Sequence, residues 1–437
     1  MCGFVIYKDQ TYGSISHRGS TEKNDSIGGW CIKFHSLPLS SNNTNIEQPI
    51  STKYGTLLFN GEIFNYEDLQ KKNYPSDLHY LRDCFIRLKG DMVRIQQESV
   101  RWDGFWSIAL IRPNGNVEFF TDWLGKKQLY YSKEGIASEI KPILPLDFEV
   151  MPYTDKSFGQ CSTPFREVSR SIPGKLYKYE INLNTAYRST TNNVNYWDLP
   201  SHADVYQIID RSVKQRMENR LDGVSLLLSG GLDSNIILHH ALQSTRDIEI
   251  ISIYNNEEEA LNVSIEHHNV EVKRIAIDKS EQTLSKAMMH YEHPLDYGSL
   301  VPGWTLFGNC NNSLVLTGDG SDELFGGYKR SQERDTYEYD MLELMYYHNI
   351  RLDRLSMAFT KEARSPLMSM PLARMSRVLP RGKRTNKSIL RDIYGTVLPK
   401  EIVRQKKVPL RMDSNKELNR DRSINQFKRL CSHLRTR

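Results

Sequence analysis

The sequence predicts a fold in two parts. An α+β sandwich, with antiparallel sheets between helices, covers residues 2–195; an α/β doubly wound parallel sheet with a helical C-terminal part covers residues 203–437. Three observations carry this. Up to about residue 195 the apolar runs are short and punctuated by Gly, Pro and Asn, as strands and turns require. Two later apolar runs, Leu227 to Ser234 and Ser313 to Tyr328, break into turns rich in Gly and carboxylate, with a helical pattern between them. After Tyr328 the pattern stays mostly helical.

In chain order, Gly55-Thr-Leu-Leu-Phe59, Phe105 to Leu110 and Val117 to Phe120 read as strands, and Leu78 to Leu88 as a helix. Ser40 to Asn45 reads as a polar loop. The Ser/Thr/Asn-rich stretch Ser189 to Asn195 reads as a linker, and helical periodicity begins at Asp204. Leu227-Leu-Ser-Gly-Gly-Leu-Asp-Ser234 then reads as strand, loop and helix start, with the helix over Asn235 to Gln243.

That loop carries chemistry. Gly230 and Gly231 let backbone N–H groups approach an anion, and the helix that follows aims its positive end there. The spacing lacks the Gly-Lys-Ser/Thr of a Walker A loop and resembles instead the loop of the ATP pyrophosphatases, a resemblance that implies a hold on the β,γ-pyrophosphate of ATP. Asp233 is the first candidate ligand for Mg²⁺, a hard cation that requires oxygen donors. Asp322, from the second strand-to-turn unit, is the candidate to share it, which leaves Asp319 as a candidate base. Arg404-Gln-Lys-Lys407 is a possible source of balancing charge.

At the other end, removal of Met1 would expose Cys2 as the first residue. An α-amine with a pKa of about 7.7–8.0 can deprotonate the thiol, at about 8.5, of the same residue. Asn60-Gly-Glu-Ile-Phe-Asn-Tyr66 supplies an amide and a Gly N–H suited to an oxyanion, although Asn-Gly is also a common hairpin turn.

Composition sets limits. With 437 residues, 39% hydrophobic and 25% charged, the chain resembles an ordinary globular protein. It contains no apolar run of 18 residues and no signal-peptide pattern, so a cytoplasmic location and no membrane partner are expected. Six scattered cysteines without a C-x-x-C pair indicate free thiols. Net charge is +5. The basic clusters Arg374 to Arg391 and Arg420 to Arg437 lack interleaved aromatics and read as solvated faces rather than a nucleic-acid surface.

Together these motifs resemble the glutamine-hydrolysing asparagine synthetase family, in which a class II (N-terminal-nucleophile) glutaminase domain precedes an ATP pyrophosphatase domain. In the first half the resemblance rests on Cys2-Gly3, His17-Arg-Gly19, Gln48-Pro-Ile50, Asn60 to Tyr66, Ser76-Asp77, Asp103-Gly-Phe105, Asp122-Trp-Leu-Gly125, Leu129-Tyr-Tyr131, Ala137 to Lys141 and Ile172-Pro-Gly174. In the second it rests on Leu228 to Ser234, Thr317 to Tyr328, Glu362-Ala-Arg364, Ser388-Ile-Leu-Arg391 and Arg404-Gln-Lys406.

The resemblance implies roles for individual residues. Cys2 would be the nucleophile, Asn60 and Gly61 the oxyanion hole, and Glu62 and Asp77 the glutamine holders, with Asp77 on the α-ammonium. Leu228 and Ile253 would frame adenine, Ser229 to Ser234 (Ser229, Gly230, Gly231, Asp233 and Ser234 among them) would cradle pyrophosphate, and Thr317 and Gly318 would lie beside the nucleotide. Asp319 would take a proton from ammonia, Lys406 would stabilise charge during adenylation and amide formation, and Glu362 would sit near the acceptor. The implied substrates are glutamine, ATP with Mg²⁺, and a carboxylic acid, most simply aspartate, in a possible homodimer. Two alternatives stay open: the same machinery acting on another carboxylate, or a degenerate glutaminase half with an ammonia-dependent or non-catalytic role.

Three departures stand out. The family's His-x-Arg-Leu segment, whose Arg binds the glutamine α-carboxylate, is Phe34-His-Ser-Leu-Pro-Leu39 here, so either another cation, such as Lys33 or His35, substitutes or glutamine binds weakly. The acceptor-side segments read Pro366-Leu-Met-Ser369 and Asp296 to Pro302. The stretch beyond Lys406 is shorter than in typical members, which leaves closure of the synthetase site open.

Overall fold

A computed structural model describes residues 2–436 apart from 38, 40–46, 71, 153–160, 183–184, 189–203, 219–221, 246, 255–257, 295–296 and 407–415. The expected loop at Ser40 to Asn45, the linker at Ser189 to Asn195, and Asp296 and Lys407 lie outside the described residues.

The N-terminal half holds two six-stranded sheets, all of whose pairings are antiparallel. One runs in the order Ser169–Arg170, Tyr130–Ser132, Gly135–Ala137, Cys2–Tyr7, Trp30–Ser36, Thr21–Ile27; the other in the order Thr185–Arg188, Tyr177–Glu180, Val117–Thr121, Gly104–Ile111, Gly55–Ile63, Ile50–Thr52. Strand alternation decides what faces what. Cys2, Phe4, Ile6, Ile32 and Phe34 meet Leu58, Ala109, Ile111 and Phe119 in one buried cluster between the sheets. The other face of the second sheet, with Leu57, Phe59, Trp106 and Ile108, shares a cluster with Tyr80, Leu81, Phe85 and Ile95 of helices Asp77–Arg87 and Met92–Glu98. The remaining face carries Val5, Tyr130 and Ala137. These share a cluster with Leu284, Met288, Phe427 and Leu430, so helices Glu281–Tyr291 and Lys416–Arg435 of the C-terminal half cover that side of the sandwich.

The C-terminal half is built on a five-stranded parallel sheet in the order Lys273–Ile275, Ile248–Ile253, Val224–Leu227, Leu314–Leu316, Glu362–Arg364. Its first and fourth strands are neighbours, so the chain reverses its winding between them. A doubly wound sheet opens its ligand crevice at that point. Both Gly- and carboxylate-bearing turns lie there. The helix after the first turn is Leu232–Ser244, three residues earlier than expected, because Gly231 caps it and Asp233 and Ser234 enter its first turn. The helical start at Asp204 is explained by its side chain, which accepts from the Tyr206 N–H at 2.8 Å and caps helix Val205–Met217. Among the described residues no helix is long and apolar enough to cross a membrane.

Candidate active sites

Cys2 opens its strand and is buried. Its backbone nitrogen donates to Asn60 Oδ1 at 3.2 Å, which turns the amide so that Nδ2 points elsewhere. That Nδ2 is buried and has no hydrogen-bond partner among the described residues. A buried donor left unpaired beside a thiol is what an oxyanion needs to meet. Gly61 has φ +154°, and a Cβ there would overlap the Phe105 carbonyl of the neighbouring strand. Burial pushes the Cys2 thiol up, so it is held neutral and needs a base.

Asp77, the first residue of helix Asp77–Arg87, is buried and accepts the Ile63 N–H at 3.1 Å. Burial raises the Glu62 carboxyl against the pull of Arg364, and burial with Glu62 nearby drives Asp77 well above the carboxylate range. Two adjacent carboxyls that resist ionising together suit a ligand that brings its own cation, such as an α-ammonium group.

The structure rules out both expected substitutes for the missing arginine. In the Trp30–Ser36 strand, Ser36 pairs with Cys2 whereas His35 pairs with Gly3 and Lys33 with Val5, so Lys33 and His35 lie on the opposite face from the thiol. His35 lies 3.7 Å from Glu22, and Lys33 sits over the Tyr7 ring. A cation that does reach this site is Arg364, 3.8 Å from Glu62 and contributed by the parallel sheet.

At the switch point, the Ser229–Ser234 loop is tied to itself. Ser234 Oγ accepts the Ser229 N–H at 3.2 Å, Ser229 Oγ accepts the Gly231 N–H at 3.2 Å, and Asn235 Nδ2 donates to the Gly230 and Gly231 carbonyls at 3.0 and 2.9 Å. Gly230 has φ +86°, and a Cβ there would come within 2.7 Å of the Leu261 nitrogen. Leu228 and Ile253 are buried at the strand ends. Thr317 Oγ1 lies 2.8 Å from Ser365 Oγ, and Gly318 packs against Asp233 so closely that a Cβ would be 3.1 Å from its Cβ.

Asp233 and Asp322 do come together, held by a cation that sequence reasoning missed. Lys387 Nζ lies 2.6 Å from Asp233 Oδ2 and 2.6 Å from Asp322 Oδ1. Its backbone is unusual: Asn386 and Lys387 both occupy the left-handed region, at φ +55° and +56°, a conformation that ordinary side chains disfavour. Their N–H groups donate to the Gly326 and Phe325 carbonyls at 2.8 Å each. Arg391, one helical turn on, also feels both carboxylates. The only signal in the sequence was the position of Lys387 just ahead of the Ser388-Ile-Leu-Arg391 motif. Lys406, expected to supply charge, is exposed and forms no ion pair among the described residues. Asp319 is half-exposed, with Arg351 at 4.0 Å.

The two centres meet along the sheet edge. Glu362 and Arg364 sit on the last strand, with Arg364 Nε donating to Glu362 Oε1 at 2.5 Å while its other arm faces Glu62. Glu362 is fully buried and is felt by the Cys2 thiol, so it belongs to the contact between the halves. Nearby, Arg216 forms a two-pronged pair with Asp103 at 3.0 and 3.1 Å. Arg18 reaches the Cys2 carbonyl at 3.4 Å while gripping Asp353 at 3.0 and 3.1 Å. Leu37, Leu39, Phe64, Phe105 and Met357 form an apolar cluster with members from both halves.

Comparison with known proteins agrees with this architecture. The asparagine synthase family profile matches residues 204–339 and 331–437, more than half of the chain, and a glutamine amidotransferase domain profile matches residues 37–145. A Bos taurus asparagine synthetase [glutamine-hydrolyzing] is 24% identical over 89% of this chain and 78% of its own length. A Bacillus subtilis asparagine synthetase [glutamine-hydrolyzing] 1 is 24% identical over 65% of this chain and 50% of its own. A Methanocaldococcus jannaschii relative with a glutamine-hydrolysing asparagine synthetase designation is 23% identical over 62% and 58%. The chain spans less than two thirds of the Bacillus and Methanocaldococcus proteins. With antiparallel sheets carrying Cys2 and Asn60 in one half and a parallel sheet carrying Asp233 and Asp322 in the other, the chain belongs to the asparagine synthase family.

Proposed function

We propose that this chain makes an amide from a carboxylic acid, with glutamine as nitrogen donor and ATP as energy source, and that aspartate is the acid. The glutaminase half would comprise residues 2–195 and the synthetase half residues 203–437. The observation that carries the reading is the Glu362–Arg364 strand, which is at once the edge of the parallel sheet and the ion-pair partner of Glu62 beside the thiol. One chain thereby holds both chemistries next to each other.

In the glutaminase half, the α-amine left by removal of Met1 would accept the Cys2 thiol proton, and sulfur would attack the glutamine side-chain amide. Asn60 Nδ2, with Gly61 beside it, would receive the oxyanion, and Asp77 with Glu62 would hold the α-ammonium. Ammonia then leaves and water frees glutamate from sulfur. The apolar cluster around Phe64 and Phe105 would keep that ammonia neutral on its way, which a solvent path at neutral pH would not.

In the synthetase half, the acceptor carboxylate would attack the α-phosphorus of ATP, giving an acyl-adenylate and releasing pyrophosphate into the Ser229–Ser234 loop. Leu228 and Ile253 would flank adenine, with Thr317 and Gly318 alongside. The residues fit Mg²⁺: Asp233 Oδ1 is a buried carboxylate oxygen without a hydrogen-bond partner among the described residues, and Asp322 stands across from it. Bound there, Mg²⁺ would neutralise charge on the phosphates as a Lewis acid. Lys387, displaced from the two carboxylates, would turn to the departing pyrophosphate. Ammonia attacking the acyl carbon would lose its proton to Asp319, and AMP would leave.

The test supplies ATP, Mg²⁺ and glutamine with a panel of acids and follows AMP, pyrophosphate and amide. Equal yields of AMP, pyrophosphate and asparagine with aspartate support the reading. Release with another acid alone would keep the machinery and change the acceptor, and release with none would overturn the proposal.

A further inference from the structure

A cavity of 760 Å³ that shares no lining residue with either centre opens on the helical C-terminal part. Four arginines from three segments converge on it: Arg334 after the helix Lys329–Glu333, Arg377 on helix Met370–Val378, and Arg381 and Arg384 on the short helix Arg381–Arg384 that follows. Only two carboxylates of the lining oppose them. Arg384 is buried, donates to both oxygens of Asp335 at 3.0 and 3.1 Å, and lies 4.3 Å above the Tyr337 ring. Arg377 lies 3.2 Å from Glu338. Arg381 makes one long bond, 3.4 Å, to the Gln332 carbonyl, and Arg334 has no ion pair among the described residues. The cavity wall therefore keeps an excess of two positive charges around a volume in the range of small-ligand pockets.

We propose that this cavity binds a small phosphate-bearing anion, separately from the phosphate cradle of the synthetase centre. Guanidinium groups offer parallel N–H donors that match tetrahedral oxyanions, and Arg384 is already oriented by Asp335 and Tyr337. The Tyr339 ring, 45% exposed at the rim, offers a flat surface for the rest of such a ligand. No lining residue is shared with the Ser229–Ser234 loop, yet Arg384 stands three residues before Lys387, so the occupant would sit against the segment that presents that lysine. The basic run Arg374 to Arg391, which reads from sequence as a solvated face, is in part the wall of a site.

Calorimetric titration of the full chain with tripolyphosphate, without Mg²⁺, tests this. The cavity variant Arg334→Gln/Arg381→Gln is compared with Arg94→Gln/Arg101→Gln, which removes equal charge from exposed positions elsewhere. The expected result is at least tenfold weaker binding in the cavity variant only, with its ammonia-dependent AMP formation at the wild-type level. No tripolyphosphate binding to wild type, equal weakening in both variants, or an unaffected cavity variant would overturn the proposal. Loss of AMP formation in the cavity variant would place these arginines in the reaction centre and refute a separate site.

Discussion

Replacing Lys387 by methionine removes the ammonium that lies 2.6 Å from both Asp233 and Asp322 while keeping an unbranched side chain of similar length. The two carboxylates are buried, so the variant leaves like charges with Arg391 to offset them in part. Breaking a buried pair in this way costs about 3–5 kcal/mol. The loss can be partly recovered. An incompletely compensated pair of carboxylates is a cation site, and Mg²⁺ at about 10 mM against a dissociation constant of about 1 mM returns about 1.4 kcal/mol. Wild type should respond little to Mg²⁺ without ATP, because the metal must first displace the lysine. Thermal denaturation of both proteins, in EDTA and in Mg²⁺, measures the difference. At about 1 °C per kcal/mol for 437 residues whose halves share buried clusters, Lys387→Met should melt about 3–5 °C below wild type in EDTA and regain about 1–2 °C in Mg²⁺. A variant as stable as wild type, or a wild type that gains as much from Mg²⁺ as the variant, would refute this account of the carboxylate pair.

Three further outcomes follow from the geometry. Asn60→Ala removes the orphaned Nδ2, so glutamine hydrolysis should fall about 10²–10³-fold in kcat with ammonia-dependent synthesis retained, as steady-state assays of each reaction would show. Ser36→Arg places a guanidinium opposite Cys2, where Lys33 and His35 cannot reach, and should lower the KM for glutamine about tenfold or more; an unchanged KM would mean that Arg364 already serves the α-carboxylate. Burial depresses His240 to about 4 and His290 and His293 to about 3, so all three fold neutral. Below their ordinary pKa of 6.5 the unfolded chain binds more protons, so stability should fall as pH drops from 6.5 towards 4, by at most about 4 kcal/mol per pH unit near pH 5. Urea midpoints that stay constant between pH 7 and pH 5 would contradict that burial.

How much of this was legible in the sequence depended on the range of the interactions involved. The turns at Ser229–Ser234 and Thr317–Tyr328 were readable because a strand running into Gly and carboxylate is a local pattern, and both fall at the sheet's switch point. The pairing of Asp233 with Asp322 followed from that topology. Lys387 did not, because a lysine becomes a partner for both only when Asn386 and Lys387 take left-handed backbone, which neither residue type announces. Lys33 and His35 were plausible substitutes while only their proximity in sequence counted. Strand alternation around the buried Phe34 sends both away from Cys2. The helices that close one side of the sandwich come from the far end of the chain, and no local periodicity indicates which sheet a distant helix will cover. Arg364 had a recognisable motif, yet its reach to Glu62 exists only once the two halves pack.

The central claim is that a thiol centre and an ATP centre on this chain are chemically separate and joined by ammonia. Cys2→Ala, assayed for amide and pyrophosphate with glutamine and then with ammonium at high concentration, tests it most directly. Truncation of one buried thiol should leave the fold intact, which a thermal melt would check. The account predicts no amide from glutamine and near-wild-type amide from ammonium. Equal loss of both reactions in a variant that melts like wild type would contradict it.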